Sequence, residues 1–247
     1  MKIVRHTSFA DYLNTVADKS LNRTCIFRGQ RDSGWQLENR WKRFNRDFLS
    51  PTADTGEVRE ELRRCVVDEF RRVELGSEAM SEAEVEALSQ HTGLPTRLMD
   101  WSYSPYIGLF FAYDAASVTP STSTECAVFE IDIERFIFAS CFSIERNATL
   151  ASGNRAREFA FTKDIKVSNP NILEIEDRFN SRAKRQDGVF LILPDKYDNL
   201  EQFEQECIDL DPNSEFLTQR IIPNSERLKA IQHLQDMGCR SSSVYCD

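Results

Sequence analysis

Apolar side chains at Tyr12, Leu13 and Val16, behind a serine at position 8, predict a short amphipathic helix over 8–19. The stretch TCIFRG (24–29) is short and β-prone, and Gly29 ends it. Over 56–73, Val58, Leu62, Cys65, Val66, Glu69 and Phe70 form a three-four stripe flanked by charge, the pattern of a helix. A second helix over 81–93 opens on a capping box, Ser81 with Glu84, and stops at Gly93. TRLMDW (96–101) is extended after Pro95. Ser104 then caps a helix that Pro105 begins, apolar nearly all round and therefore buried. Strands are predicted over 126–133, 188–194 and 216–223; the continuous apolar run of the second suits a central strand. A last helix over 224–238 should turn Leu228, Ile231, Leu234 and Met237 inward and stop at Gly238, with SSSVYCD as a terminal strand.

Helices and strands do not alternate regularly, which predicts an α+β fold rather than a doubly wound sheet. No internal repeat is visible, and no Pro/Gly/Ser-rich linker divides the 247 residues. One domain over 1–247 is expected, with an N-terminal helix in 1–23 and the chemistry in 24–247. A hydrophobic content of 40% with 29% charged residues is globular, and the net charge of −9 limits any polyanion contact to a local patch. Nothing approaches ~20 consecutive apolar residues, so no membrane contact is expected. The start lacks the apolar segment of a signal peptide. Seven scattered cysteines without a C-x-x-C pair suit reduced thiols in a cytoplasmic protein, most of them buried, and no metal site.

The phosphate-loop, dinucleotide-fingerprint, zincin and nucleophile-elbow motifs are all missing. Two clusters remain. In IFRGQRDSGW (26–35), Arg28 precedes a glycine, and a fork of donors there suits a phosphate or carboxylate; a buried ion pair is the plainer alternative. Gln30, Arg31 and Trp35 follow, with Trp35 as a stacking surface or as core. In QHTGLPTRLMDW (90–101), Gln90 and His91 fall in the last turn of a helix, whose partial negative charge favours a protonated imidazole. Arg97 and Asp100 lie three apart and so face opposite sides of a strand. Their plainer roles are a loop cap for Asp100 and charge neutralisation for Arg97.

Together the two clusters resemble the FRG domain family. Its hallmarks are an aromatic-Arg-Gly opening, here Phe27-Arg28-Gly29, and the block QHTGLPTRLMDWSYSPYIGLFFA (90–112). RAKRQDGVFLI (182–192) and the closing segment are similar to later family strands, so the likeness spans about 25–247. The tail departs from the family's usual Phe-Pro-Asp at Tyr245-Cys246-Asp247, and Asp247 is given no role. A further resemblance is to ADP-ribosyltransferases, which implies a core of two small packed β-sheets with flanking helices and NAD as the substrate. It assigns Arg28, Gly29, Gln30, Gln90, Thr96, Arg97, Ser102 and Ser104 to NAD. It assigns His91, Asp100 and Gln186 to catalysis, with Gln186 where the family carries a glutamate. Cleaving the nicotinamide–ribose bond develops positive charge on the ribose, so a nearby anion matters, and Asp100 is the substitute.

The alternatives are a metal-independent ribonuclease, with His91 as acid or base and Arg28 and Arg97 on the phosphate, and a non-catalytic regulatory or partner-binding module. ENRWKRFNRDF (38–48) interleaves Arg40, Lys42, Arg43 and Arg46 with Trp41, Phe44 and Phe48, which suits a single-stranded nucleic acid acceptor. An amphipathic element with a solvated basic face is the plainer reading, and a protein acceptor stays open. Arg178, Arg182, Lys184 and Arg185 form a second basic run. By analogy with small stand-alone transferases, the resemblance also implies a toxin or phage-defence effector held by an antitoxin-like inhibitor protein.

Overall fold

The structure, a computed structural model, describes residues 1–48, 56–75, 80–113, 122–144, 170–174, 185–194 and 196–244. Seven strands run in chain order: β1 (Lys2–Arg5), β2 (Cys25–Gln30), β3 (Leu98–Ser102), β4 (Glu125–Asp132), β5 (Asn171–Leu173), β6 (Gly188–Ile192) and β7 (Leu217–Pro223). The helices are α1 (Phe9–Leu21), α2 (Arg40–Phe48), α3 (Gly56–Phe70), α4 (Glu82–His91), α5 (Pro105–Ala112), α6 (Ile133–Ile144), α7 (Leu200–Leu210), α8 (Arg227–Asp236) and α9 (Ser241–Val244). The fold is α+β, as the irregular alternation predicts.

Two small packed sheets are implied by the transferase likeness. Among the described residues there is one mixed sheet instead, in the order β1-β7-β4-β2-β3-β6-β5, with only β1 and β7 parallel. The sheet is nevertheless unevenly knit. β2 shares six register pairs with β4, and β3 shares five with β6, but β2 and β3 meet only at Phe27↔Ser102. Past that pair the two strands part, leaving a four-strand part and a three-strand part joined at one point. The opening between them is where the candidate site lies.

Strand alternation sends Phe27 and Gly29 to one face of β2, and Ile26, Arg28 and Gln30 to the other. The first face packs with α1, α5 and α8 through Tyr12, Val16, Leu109, Phe110, Ala230 and Leu234. The second packs with α6 and α7 through Phe129, Trp101, Phe136 and Phe203. α5 crosses β2 so closely that a β-carbon on Gly29 would stand 2.1 Å from the Gly108 carbonyl oxygen and 2.3 Å from the Ala112 nitrogen. Only glycine fits there, and the reason is helix packing.

Local signals fare well where they rest on caps. Ser81 and Glu84 form the reciprocal capping box, Ser104 accepts from the Ile107 amide with Pro105 opening α5, and Gly93 and Gly238 take φ of 95° and 87°. Two inward stripes are corrected. In α3 the buried face is Arg63, Val67 and Phe70, while Val58 is 42% exposed. An arginine neutralised by carboxylates can be drawn inside, which shifts the whole stripe. In α8 it is Ala230 and Leu234 that are buried, and Leu228 is 78% exposed. The expected terminal strand is a short helix, α9, closed by the Ser243 and Val244 amides donating to the Arg240 carbonyl; residues 245–247 lie outside the described part. Cys25, Cys126 and Cys207 are buried free thiols.

Candidate functional site

The parting of β2 and β3 opens a cavity of about 1010 Å³. Arg28, Gly29 and Gln30 of β2, Asp100 and Ser102 of β3, Gln90 of α4 and Gln186 all line it, so residues far apart in the chain share one space. Arg28 is half-buried. Its Nη1 donates to the Asp100 carbonyl oxygen at 2.6 Å, bridging the gap where strand pairing has stopped, and its Nε is buried with no partner among the described residues. Burial pulls the guanidinium below its ordinary pKa, against the opposing pull of Asp100. The charge is thus present but poorly compensated, and an anion in the cavity would relieve it.

Asp100 is held from the other side. Gln90 Nε2 lies 2.8 Å from both carboxylate oxygens, and the Thr96 hydroxyl donates to Gln90 Oε1 at 2.5 Å. Thr96 itself is buried and does not line the cavity; it fixes which way the Gln90 amide points. Gln30 donates to the Gln36 carbonyl at 3.2 Å and keeps a buried Oε1 without a partner among the described residues. Ser102 donates to the Gln186 carbonyl at 2.6 Å and accepts from the Ser104 amide at 2.9 Å, stitching the start of α5 to the segment before β6. Gln186 is buried, with Nε2 donating to the Val244 carbonyl at 2.9 Å. The next residue, Asp187, has φ of 46° and accepts from Arg23, itself at φ of 48°, at 2.9 Å. Two non-glycine residues in the left-handed region, tied to each other, hold this corner in place.

Several candidates sit elsewhere. Arg97 does not line the cavity: its Nη2 meets the buried Glu86 carboxylate at 2.8 Å, in a cluster that also holds Arg63, Glu60 and Glu82. Its place follows from strand parity, which sets it opposite Asp100. Trp41 is fully buried and Lys42 nearly so, so neither is open to a base or phosphate; Trp41 stacks on Phe44 at 5.7 Å instead. Ser104 serves as the helix cap. The His91 side chain and all of Arg178, Arg182 and Lys184 lie outside the described residues, while Arg185 is described, exposed, and not part of the cavity lining. His6 packs on Tyr12 and faces Arg220, and His233 packs on Phe9, both away from the cavity.

The basic stretch between β2 and α3 brings some of its charges to the cavity and not others. α2 buries Trp41, Lys42 and Asn45 and turns Arg40, Arg43 and Arg46 to the cavity, together with Arg31, Trp35 and Glu38. The i, i+3, i+6 spacing of those arginines, opposite the buried tryptophan, is the signal that separates them from Lys42. Among the described residues no cluster of His, Cys, Asp and Glu is placed to hold a metal ion, and no helix is long and apolar enough to cross a membrane.

Residues 23–120 match the FRG domain family, a span that carries Arg28, α2, Gln90, Asp100 and Ser102. No curated protein and no solved structure matches the chain.

Proposed function

We propose that this FRG-domain chain is an ADP-ribosyltransferase that takes NAD into the opening between β2 and β3. The observation that carries the reading is Arg28: buried on one side, bonded to a backbone carbonyl rather than a carboxylate, and with an unpartnered Nε beside a large cavity. A guanidinium with unspent donors suits a pyrophosphate, which accepts two of them at once. The residues fit such a ligand in size as well, since the cavity stands at the top of the roughly 300–1,000 Å³ range of small-molecule sites. In the same reading, the four-strand and three-strand parts of the sheet are counterparts of that family's two packed sheets.

Bound NAD supplies a glycosidic bond whose cleavage releases nicotinamide with the bonding electron pair and leaves positive charge on the ribose. Asp100 answers that charge, and Gln90 holds both carboxylate oxygens so that the anion is oriented in advance. An acceptor nucleophile then bonds to the ribose carbon, and Asp100 takes the proton it gives up. Gln186 stands where the family's glutamate would, but with its amide on Val244 it serves as a wall and a tie to α9.

The test incubates the chain with labelled NAD and separate pools of RNA, DNA and protein, and measures free nicotinamide. Label transfer by the wild type, lowered about a hundredfold in Asp100→Asn at unchanged thermal stability, supports the reading. No label in any pool, with no nicotinamide released, overturns it.

A further inference from the structure

The cavity holds more positive charge than a dinucleotide's pyrophosphate requires. Among the described residues five arginines line it, Arg28, Arg31, Arg40, Arg43 and Arg46, against two carboxylates, Glu38 and Asp100. In a chain of net charge −9 this excess of three is local and directed. A pyrophosphate needs two positive charges, and Arg28 already answers one of them. The remainder is concentrated on α2. There Arg43 donates to the Glu38 carbonyl at 2.9 Å and Arg46 holds the Glu38 carboxylate at 2.7 Å, while Arg40 is exposed and makes no hydrogen bond or ion pair among the described residues. The rise of ~1.5 Å per residue sets the three in a row along the helix. Trp35, 49% exposed, stands at the same cavity with the Arg31 guanidinium 5.4 Å from its ring centroid.

We infer that the α2 arginine row and Trp35 form the acceptor subsite, and that the acceptor is a single-stranded nucleic acid. The inference rests on the transferase reading for the word acceptor, but not for binding itself. A row of cations beside a half-exposed aromatic ring is what an unpaired strand needs: its phosphates meet Arg40, Arg43 and Arg46, and a base lies on the Trp35 ring. The flat indole tolerates any base, so stacking sets the class of acceptor and leaves its sequence free. Double-stranded ends have their bases already stacked on each other and gain only the phosphate contacts. An acidic protein would meet the arginines and leave Trp35 unused, which is why the aromatic decides between the two.

The experiment has two readouts on the full chain. Anisotropy with labelled single-stranded RNA, single-stranded DNA, duplex DNA and an acidic peptide, without NAD, reads the subsite alone. One or both single strands should bind more tightly than the duplex and the peptide, with affinity falling steeply in salt. Arg40→Glu and Trp35→Ala should each weaken that binding about tenfold or more, whereas Lys229→Glu, an equal charge change away from the cavity, should not. Label transfer from NAD, divided by nicotinamide released, reads the subsite as an acceptor site, and this ratio should fall in Trp35→Ala. The RNA and DNA arms identify which strand is used. Peptide binding at least as tight as that of the single strands, or transfer to protein alone, overturns the inference and leaves the transferase reading standing. Single-strand binding that Arg40→Glu and Trp35→Ala leave intact also overturns it. Strand binding with no nicotinamide released under any condition overturns the transferase reading and the acceptor role together.

Discussion

Arg28 and Arg97 both come from the most distinctive stretches of the chain, and the fold employs them in opposite ways. Arg97 reaches the buried Glu86 carboxylate, which Arg63 also holds at 2.8 Å. Burial pulls Arg63 down, but Glu60, Glu86 and Glu82 outweigh it and hold the guanidinium above its ordinary range. In that cluster each positive charge has a carboxylate close by. Among the described residues Arg28 has only a carbonyl oxygen as its hydrogen-bonded partner; both arginines keep a buried Nε unmet, but of the two only Arg28 stands at the cavity. The comparison teaches that an arginine in a motif does not mark a ligand site by its identity. What marks it is leftover hydrogen-bonding capacity at a cavity.

The comparison breaks most visibly at Glu86. Glu86→Ala removes the anion between Arg63 and Arg97 and should cost about 3–5 kcal/mol in urea unfolding, because it leaves Arg97 with Glu82 alone at 3.5 Å and takes one of three carboxylates from the buried Arg63. A change under ~1 kcal/mol would mean that water compensates the cluster and that its burial is not structural. Next comes Arg28→Met, which should lower nicotinamide release by roughly a hundredfold while shifting stability by less than ~1 kcal/mol, the reverse of Glu86→Ala. Gly29→Ala follows: its β-carbon meets backbone atoms of α5 at 2.1–2.3 Å, so overpacking should cost about 1–3 kcal/mol by thermal unfolding. Stability at the wild-type level would show that the glycine serves ligand approach instead.

These outcomes also mark how far the residues could be read in advance. Caps, turns and the Phe27-Arg28-Gly29 and Gln90–Trp101 stretches were legible because each depends on contacts within a few positions. Strand parity alone separated Arg97 from Asp100. What was not legible depended on partners distant in the chain. β1 and β5 are four and three residues long and carry no pattern of their own; pairing with β7 and β6 creates them. Arg63 lies outside the apolar stripe read over 56–73, and Glu86, more than twenty residues away, draws it inward. The parting of β2 from β3 has no local signature at all, since both strands look ordinary and only their single shared pair makes the opening.

The smallest effect concerns a third arginine, Arg220, buried between Glu130 and His6. Burial pushes the Glu130 carboxyl up, but Arg220 and Lys19 outweigh it and hold it below its ordinary value of 4.5. Burial first, and then Arg220, hold His6 below its ordinary 6.5. Both groups therefore bind more protons unfolded than folded, and the stability they contribute is lost on acidification. Thermal midpoints should decline gently as pH falls below 6.5 and more steeply below 4.5. His6→Gln should flatten only the first leg. A first leg that survives this change would assign it to another group.

The most direct test of the opening around Arg28 is a thermal titration of the wild type and Arg28→Met with NAD. Saturable stabilisation of the wild type, reaching about 2.7 kcal/mol at a hundred times the dissociation constant and largely lost in Arg28→Met, is the predicted result. Equal stabilisation of both proteins, or of neither, would contradict it.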